Sequence, residues 1–255
     1  SVMVNTSIGQ TGPGGVGNNS TNNFWLDANE LSLSNGEGVG TFVDVSGNPN
    51  SFVQSTVSKQ PVFVTGAANG LPILRFDGVD DCMLSGDISA LETSELTWFI
   101  VYKKTPLSKS CLIGANYSTA INANSDKQWQ MYSLLNDNTV STVEYSTGPA
   151  KGLYYVDGFS DYNITSVHYE AGKQEVYTEG NLAFSNNETY VSGVDHNFVT
   201  LGRWPKSENF FLDGDIAEVV IFNRSLNDIE RVIVENYLGA KYNRTISEDY
   251  FSFQA

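Results

Sequence analysis

The chain carries only two cysteines, two histidines and three methionines, and its 14 basic residues are outnumbered by 29 acidic ones. Cys82 and Cys111 are too few for a disulfide scaffold and too far apart for a Cys-x-x-Cys metal knuckle. One bridge between them in an oxidising compartment and two half-buried free thiols both stay open at this level. No apolar run approaches the ~20 residues of a membrane-spanning helix, so no membrane insertion is expected. The shortage of Lys and Arg leaves a net charge of −15 with no basic cluster, which makes phosphate backbones poor partners and argues against nucleic-acid binding. With His168 and His196 as the only histidines, no Gly-x-Ser-x-Gly elbow and no Cys–His motif, nucleophilic catalysis has no signature. Ser166 and Glu170, two residues either side of His168, place that histidine on a solvated strand face. The polar run Asp195-His196-Asn197 reads as a turn. The chain opens at Ser1 without a charged n-region and apolar h-region, so it is expected to be a mature chain or an excised fragment.

What is present is apolar content in short pieces. Hydrophobic residues make up 40 % of 255 positions and aromatic residues 12 %, enough for one large β domain. Residues 1–23 are Gly, Asn, Ser and Thr with many chain breakers, and read as an arm or linker; the domain proper is expected over 24–255. Strands are expected at Thr41–Val45, Pro61–Val64, Leu71–Phe76, Leu96–Lys103, Cys111–Gly114, Trp129–Leu134, Thr142–Tyr145, Ile164–Tyr169, Gln174–Thr178, Phe198–Gly202 and Ile216–Phe222. Leu96–Lys103 is apolar on both faces, which predicts a central strand. Asn69-Gly70 and Ala171-Gly172 are hairpin signals, with Gly supplying positive φ. Asn227 followed three residues later by Glu230 has the shape of a capping box. Behind it Ile229, Val232, Ile233, Asn236, Tyr237 and Ala240 follow helical spacing, predicting one late helix that covers a sheet edge or end. Many short strands and one helix give an all-β sandwich or jelly roll.

Five segments in order resemble the concanavalin A-like, laminin-G-like jelly rolls of secreted and cell-surface proteins, bacterial ones above all. They are Phe24-Trp25-Leu26-Asp27, the loop Asp44-Val45-Ser46-Gly47-Asn48-Pro49-Asn50, Leu71 to Asp81, the hairpin from Val167 to Leu182, and Phe211 to Leu226 before the helix. The resemblance spans about Phe24 to Tyr242. It implies a concanavalin A-like β-sandwich with one C-terminal helix, in an extracellular or cell-surface setting, as part of a larger protein. It does not imply a ligand, because one fold hosts many functions.

Candidate sites follow from residue chemistry. Sugar binding needs flat aromatic faces beside planar polar groups, and Trp204 beside Arg203 in a loop is the first candidate, with Trp129, Tyr154 and Tyr155 near other turns. Trp25 and Trp98 read as core. Asp44, Asn48 and Asn50 share one loop and offer the oxygen ligands that Ca²⁺ accepts. In the resemblance, an acidic residue of the penultimate strand completes such a site. Here that strand reads Ile216-Ala217-Glu218-Val219, leaving Asp215 or Glu218 to take the role. Asp77, Asp80 and Asp81 form a second acidic loop that reads as a turn. Retaining glycosidases of this architecture carry Glu-x-Asp-x-x-Glu on one strand, and only Asp213, Asp215 and Glu218 come near that spacing. The expectation is a non-catalytic module recognising a glycan or a cell-surface ligand, with Ca²⁺ as a candidate cofactor. A polysaccharide-degrading enzyme and a structural spacer stay as alternatives.

Overall fold

The computed structural model describes residues 12–86, 91, 93, 95–105, 109–116, 128–133, 139–145, 151–156, 161–170, 172–187, 198–205 and 208–247. Among the described residues, sixteen strands and one α-helix follow in chain order. They are β1 (Asn22–Asp27), β2 (Thr41–Phe42), β3 (Phe52–Val53), β4 (Val62–Gly66), β5 (Gly70–Asp77), β6 (Met83–Ser85), β7 (Leu96–Lys104) and β8 (Ser110–Asn116). After these come β9 (Gln128–Ser133), β10 (Thr139–Tyr145), β11 (Lys151–Val156), β12 (Asn163–Glu170), β13 (Lys173–Thr178), β14 (Asn181–Asn186), β15 (Phe198–Leu201), β16 (Asp213–Phe222) and α1 (Asp228–Tyr242).

The strands form two sheets, and the described pairings between named strands are antiparallel. One sheet runs β14-β13-β12-β7-β16-β5-β4 and the other β11-β10-β9-β8-β15-β6-β3-β2. β5 pairs with the first part of β16 and β1 with its second part, so the two lie end to end along one side of that strand. The hairpin at Asn69-Gly70 forms as predicted, with φ of 50° and 79°.

β7 is the central strand that its sequence predicts, between β12 and β16. Its odd and even residues feed two different cores. Leu96, Trp98, Ile100 and Tyr102 enter the inter-sheet core with Phe42, Phe52, Ile113, Trp129 and Met131 of the second sheet. Phe99 and Val101 face outward into a second core with Ala217, Val220, Val234, Leu238 and Tyr242, which α1 closes. Burying each such side chain contributes roughly 1.5–3 kcal/mol.

The helix starts at the predicted cap: the Glu230 N–H donates to Asn227 Oδ1 at 3.0 Å and the Asn227 N–H donates to Glu230 at 3.2 Å. Its inward face matches the expected one only in part. Val232 and Asn236 are buried as expected, together with Arg231, Val234, Glu235, Leu238 and Tyr242, whereas Ile229 is 74 % exposed. The apolar residues alone misled the pattern because the buried stripe includes the ion pair Arg231–Glu235 at 2.6 Å. The helix also lies over β12, β7 and β16 in the body of the sheet, not at an edge: Ser166 donates to Glu235, Tyr242 to Glu218, and the Leu226 N–H to Thr97.

Part of residues 12–23 is packed on the domain, against their reading as part of an arm. Pro13 and Val16 are buried, Gly14 lies against Ile233 and Tyr237, and Asn22 and Asn23 already belong to β1. Small residues fit there because the helix passes close by. Cys82 and Cys111 are both free, buried thiols.

Candidate functional site

Between β15 and β16, the described residues 202–205 and 208–212 lie at one rim of the sandwich. They start at Gly202 with φ of +79°, where a Cβ would sit 2.4 Å from the Phe76 ring, so only glycine fits. Backbone bonds then fix the loop: the Leu212 N–H donates to Gly202 O, Trp204 N–H to Asn209 O, and Cys111 N–H to Phe210 O. This holds Phe210, a bulky residue, at φ of +55°, a conformation that costs energy and recurs at functional sites. The Phe210 ring lies 4.8 Å from the half-buried Trp204 ring at 44°. Lys109 holds its ammonium 4.1 Å from the Phe210 centroid. Two tilted rings and one cation therefore meet at a loop.

Arg203 plays a different part from the one expected. Its side chain is 3 % exposed and pairs with Glu208 at 3.5 Å, while its carbonyl accepts from Thr200 Oγ1. It supports the loop from below and is not positioned to touch a ligand. Trp129 is also corrected: it is fully buried and stacks on Trp98 with centroids 5.7 Å apart. On β9 it points between the sheets. Tyr154 and Tyr155 sit on β11, paired with Ser141 and Val140 of β10, and their side chains lie outside the described residues. Residues 195–197 also lie outside them. Phe210 and Lys109 were missed because no local pattern links two loops so distant in sequence.

The five predicted metal ligands do not assemble. Asp44 is buried, and its Oδ1 accepts from the Trp25 and Ser46 N–H groups at 2.9 Å each. Burial raises its carboxyl above the ordinary value, against the hydrogen bonds that lower it. Its Oδ2 is buried without a hydrogen bond. Asn48 and Asn50 donate their amides to the carbonyls of Asn22 and Asn23, fastening the loop to β1. Asp215 and Glu218 are committed elsewhere. Asp215 takes Arg75 Nε at 2.8 Å, Arg75 Nη2 at 3.0 Å and the Tyr162 hydroxyl at 2.7 Å. Glu218 takes Trp25 Nε1, the Lys241 ammonium and the Tyr242 hydroxyl at 2.7, 2.7 and 2.9 Å. Lys241 also binds Asp27. Burial alone would lower the Lys241 pKa, but Glu218 and Asp27 override it and hold the ammonium above the usual lysine value. Asp44 Oδ2 is buried without a hydrogen bond, and Asn48 and Asn50 bond through their amide nitrogens, not their side-chain oxygens, among the described residues.

Asp215 and Glu218 share the outer face of their sheet because β16 carries a bulge between Ile216 and Glu218. Ile216, Val219 and Ile221 enter the inner core, a spacing of three and then two. The extra residue turns both Ala217 and Glu218 outward. The carboxylates are 5 % and 1 % exposed and closed by counter-charges, so neither can reach a sugar.

Two titratable groups outside the rim depart from expectation. His168 is 5 % exposed, not solvated, because α1 covers its face. It lies 3.3 Å from both Thr97 Oγ1 and Ser166 Oγ. Burial, reinforced by Arg231 and Lys173, pushes its pKa down to about 3. Asp77, Asp80 and Asp81 bring carboxylate oxygens within 4.8 Å of one another. Burial and the Asp77 charge push Asp81 up to about 6. The Val79 and Asp80 N–H groups both donate to Asp77, as in the expected turn.

No protein-family model and no curated protein sequence matches the chain. Solved structures do. Trypanosoma rangeli sialidase in complex with the inhibitor DANA aligns over 87 % of this chain and 33 % of its own, at 15 % identity and a TM-score of 0.59. The same sialidase in complex with 2,3-difluoro-KDN aligns over 94 % of this chain and 36 % of its own, at 16 % identity and a TM-score of 0.58. The chain therefore spans about a third of the sialidase chains it matches. At that identity the likeness concerns the fold: this chain is a two-sheet, all-β sandwich with one helix, similar to a segment of that sialidase.

Proposed function

We propose that the chain is a non-catalytic carbohydrate-binding module of the concanavalin A-like, laminin-G-like jelly-roll kind, working at the cell surface or outside the cell as part of a larger protein. The Trp204–Phe210–Lys109 cluster carries the proposal. A sugar ring offers an apolar face of C–H bonds, which the open part of an indole face desolvates, while its hydroxyls need nearby polar groups. Trp204 would supply the flat surface, Phe210 would fix its tilt, and Lys109 would donate to a ring oxygen or hydroxyl. Arg203 and Glu208 keep the loop in place beneath. The fold likeness to part of a sialidase is in keeping with a glycan-related setting. The consumption of Asp215 and Glu218 by Arg75 and Lys241 weighs towards binding over hydrolysis.

Calcium support narrows to the Asp44 loop, where Asp44 Oδ2 is buried without a hydrogen bond. A glycan array run with and without chelator tests both readings. Binding of the wild type, lost in Trp204→Ala with the melting temperature unchanged, is the expected result. Silence across the array, or undiminished binding by Trp204→Ala, would overturn the rim as a sugar site.

A further inference from the structure

Three of the helical-period residues of α1, Ile229, Val232 and Ile233, line one open groove of about 780 Å³. The start of the helix makes one wall, and Gly180, Asn181 and Leu182, where β13 turns into β14, make the other. An apolar stripe at i, i+3 and i+4 normally faces a covering element. Here its outer end is bare: Ile229 is 74 % exposed and Leu182, in the opposite wall, 53 %. The other exposed large hydrophobics among the described residues are four valines, none of them in this groove. Single exposed aliphatics are ordinary, whereas a leucine and an isoleucine lining one groove mark a contact surface.

The chain itself returns to this groove. After α1, Asn243 takes φ of 53° and turns it back, with the Arg244 N–H donating to Gly239 O at 2.8 Å. Arg244 then binds Asp161 and Glu179. Ile246 is 3 % exposed and seats where Gly180 and Gly239 carry no side chain; a Cβ on them would stand 2.6 Å and 2.5 Å from it. The Ser247 N–H donates to Glu179 O at 2.9 Å, and Ser247 lines the groove. Beyond the described residues the sequence continues Glu248-Asp249-Tyr250-Phe251-Ser252-Phe253-Gln254-Ala255. Three of these eight residues are aromatic, against 12 % of the whole chain.

We propose that this groove is the docking site of the chain's own segment 248–255, with its aromatic rings against Leu182, Ile229 and Val232. Extended chain covers up to about 3.6 Å per residue, so Phe251 reaches about 14 Å from Ser247 and Phe253 about 21 Å. The groove falls within the roughly 300–1,000 Å³ that holds a compact ligand, and each aromatic ring brings about 150–250 Å² to bury. A segment tethered at the mouth acts at an effective concentration on the order of millimolar, so a free partner must bind far more tightly to displace it. Docked there, the segment would tie α1 to the β13–β14 hairpin. Docking needs no glycan and shares no residue with the Trp204 cluster.

The test is methyl NMR on the full 255-residue chain, with chymotrypsin digestion beside it. Nuclear Overhauser contacts from the Tyr250, Phe251 and Phe253 ring protons to the Leu182 and Ile229 methyls are expected. Ile229→Glu, at an exposed site, should leave the fold intact, remove the contacts to Leu182 as well and speed cleavage after Phe251 about tenfold, because cleavage follows the open population. Leu182→Ser should act alike from the other wall. Val57→Ser, equally exposed but outside the groove, should change neither readout. Absence of the ring–methyl contacts, or cleavage at equal rates in the wild type and both groove variants, would overturn the docking, as would an equal rise in Val57→Ser. Contacts that arise only between copies, in a mixture of methyl-labelled and unlabelled chains, would assign the groove to a second copy and overturn docking within one chain.

Discussion

Two buried side chains give this protein opposite responses to acid. His168 has a folded pKa of about 3, below its unfolded value of roughly 6.5. The folded state then binds fewer protons, so stability is full above the unfolded value and falls as pH drops towards 3. The slope from this one group reaches about 1.4 kcal/mol per pH unit. Asp81 has a folded pKa of about 6, above its unfolded value near 4. Its folded state holds the proton more tightly, so its contribution improves as pH falls from 6 to 4. The two partly cancel between pH 6 and 4. Denaturant melts across that range should show a flatter acid loss in His168→Gln and a steeper one in Asp81→Asn. Identical slopes in the wild type and both variants would contradict the burial of these groups.

At the scale of elements, α1 tests how much a buried ion pair matters beside a surface cap. Removing the Asn227 cap by Asn227→Ala should cost about 1 kcal/mol. Glu235→Ala leaves Arg231, which is 4 % exposed, facing the sheet without its carboxylate and should cost about 3–5 kcal/mol. Urea unfolding of both variants gives the comparison directly, and an equal cost would mean that the pair is solvated. The helix also shows where the sequence was legible. Its cap and extent follow from Asn227 and Glu230, because capping is local chemistry. Its inward face does not follow, because burying Arg231 and Glu235 depends on Ser166, Tyr177 and His168 arriving from distant strands. The strands behave alike. β7 and β16 are legible from apolar runs, whereas β3, β6 and β14 are short or exposed and leave no pattern. Site residues fared worst. Trp204 was found as a loop aromatic, but Trp129 was misread, since a tryptophan near a turn looks the same whether it points in or out.

For the whole molecule, the acidity raises the question of a bound cation. A ligand that binds only the native state must raise its stability. If Ca²⁺ occupies the Asp44 loop, EDTA should lower the melting temperature, and Asp44→Asn should abolish that effect. A melt unmoved by EDTA would remove calcium from this protein's function. The two-core layout makes such a readout sensitive, since the loop is fastened to β1, and β1 to β16, which serves both cores.

The bulge in β16 carries a consequence for how this chain can vary. Beyond Ile216 every side chain is aimed by one surplus residue. Deleting Ala217 would restore strict alternation with every pairing kept, because Ile216 already faces Tyr102 and Glu218 already faces Val101, the next residue of β7. Losing Val219 instead would drive Glu218 into the inner core or turn the downstream row over. Most strands in a sandwich tolerate trimming at their ends. This one carries a single spare position, Ala217, so a lineage could lose that residue and keep the charge layout, but not one of those that follow it.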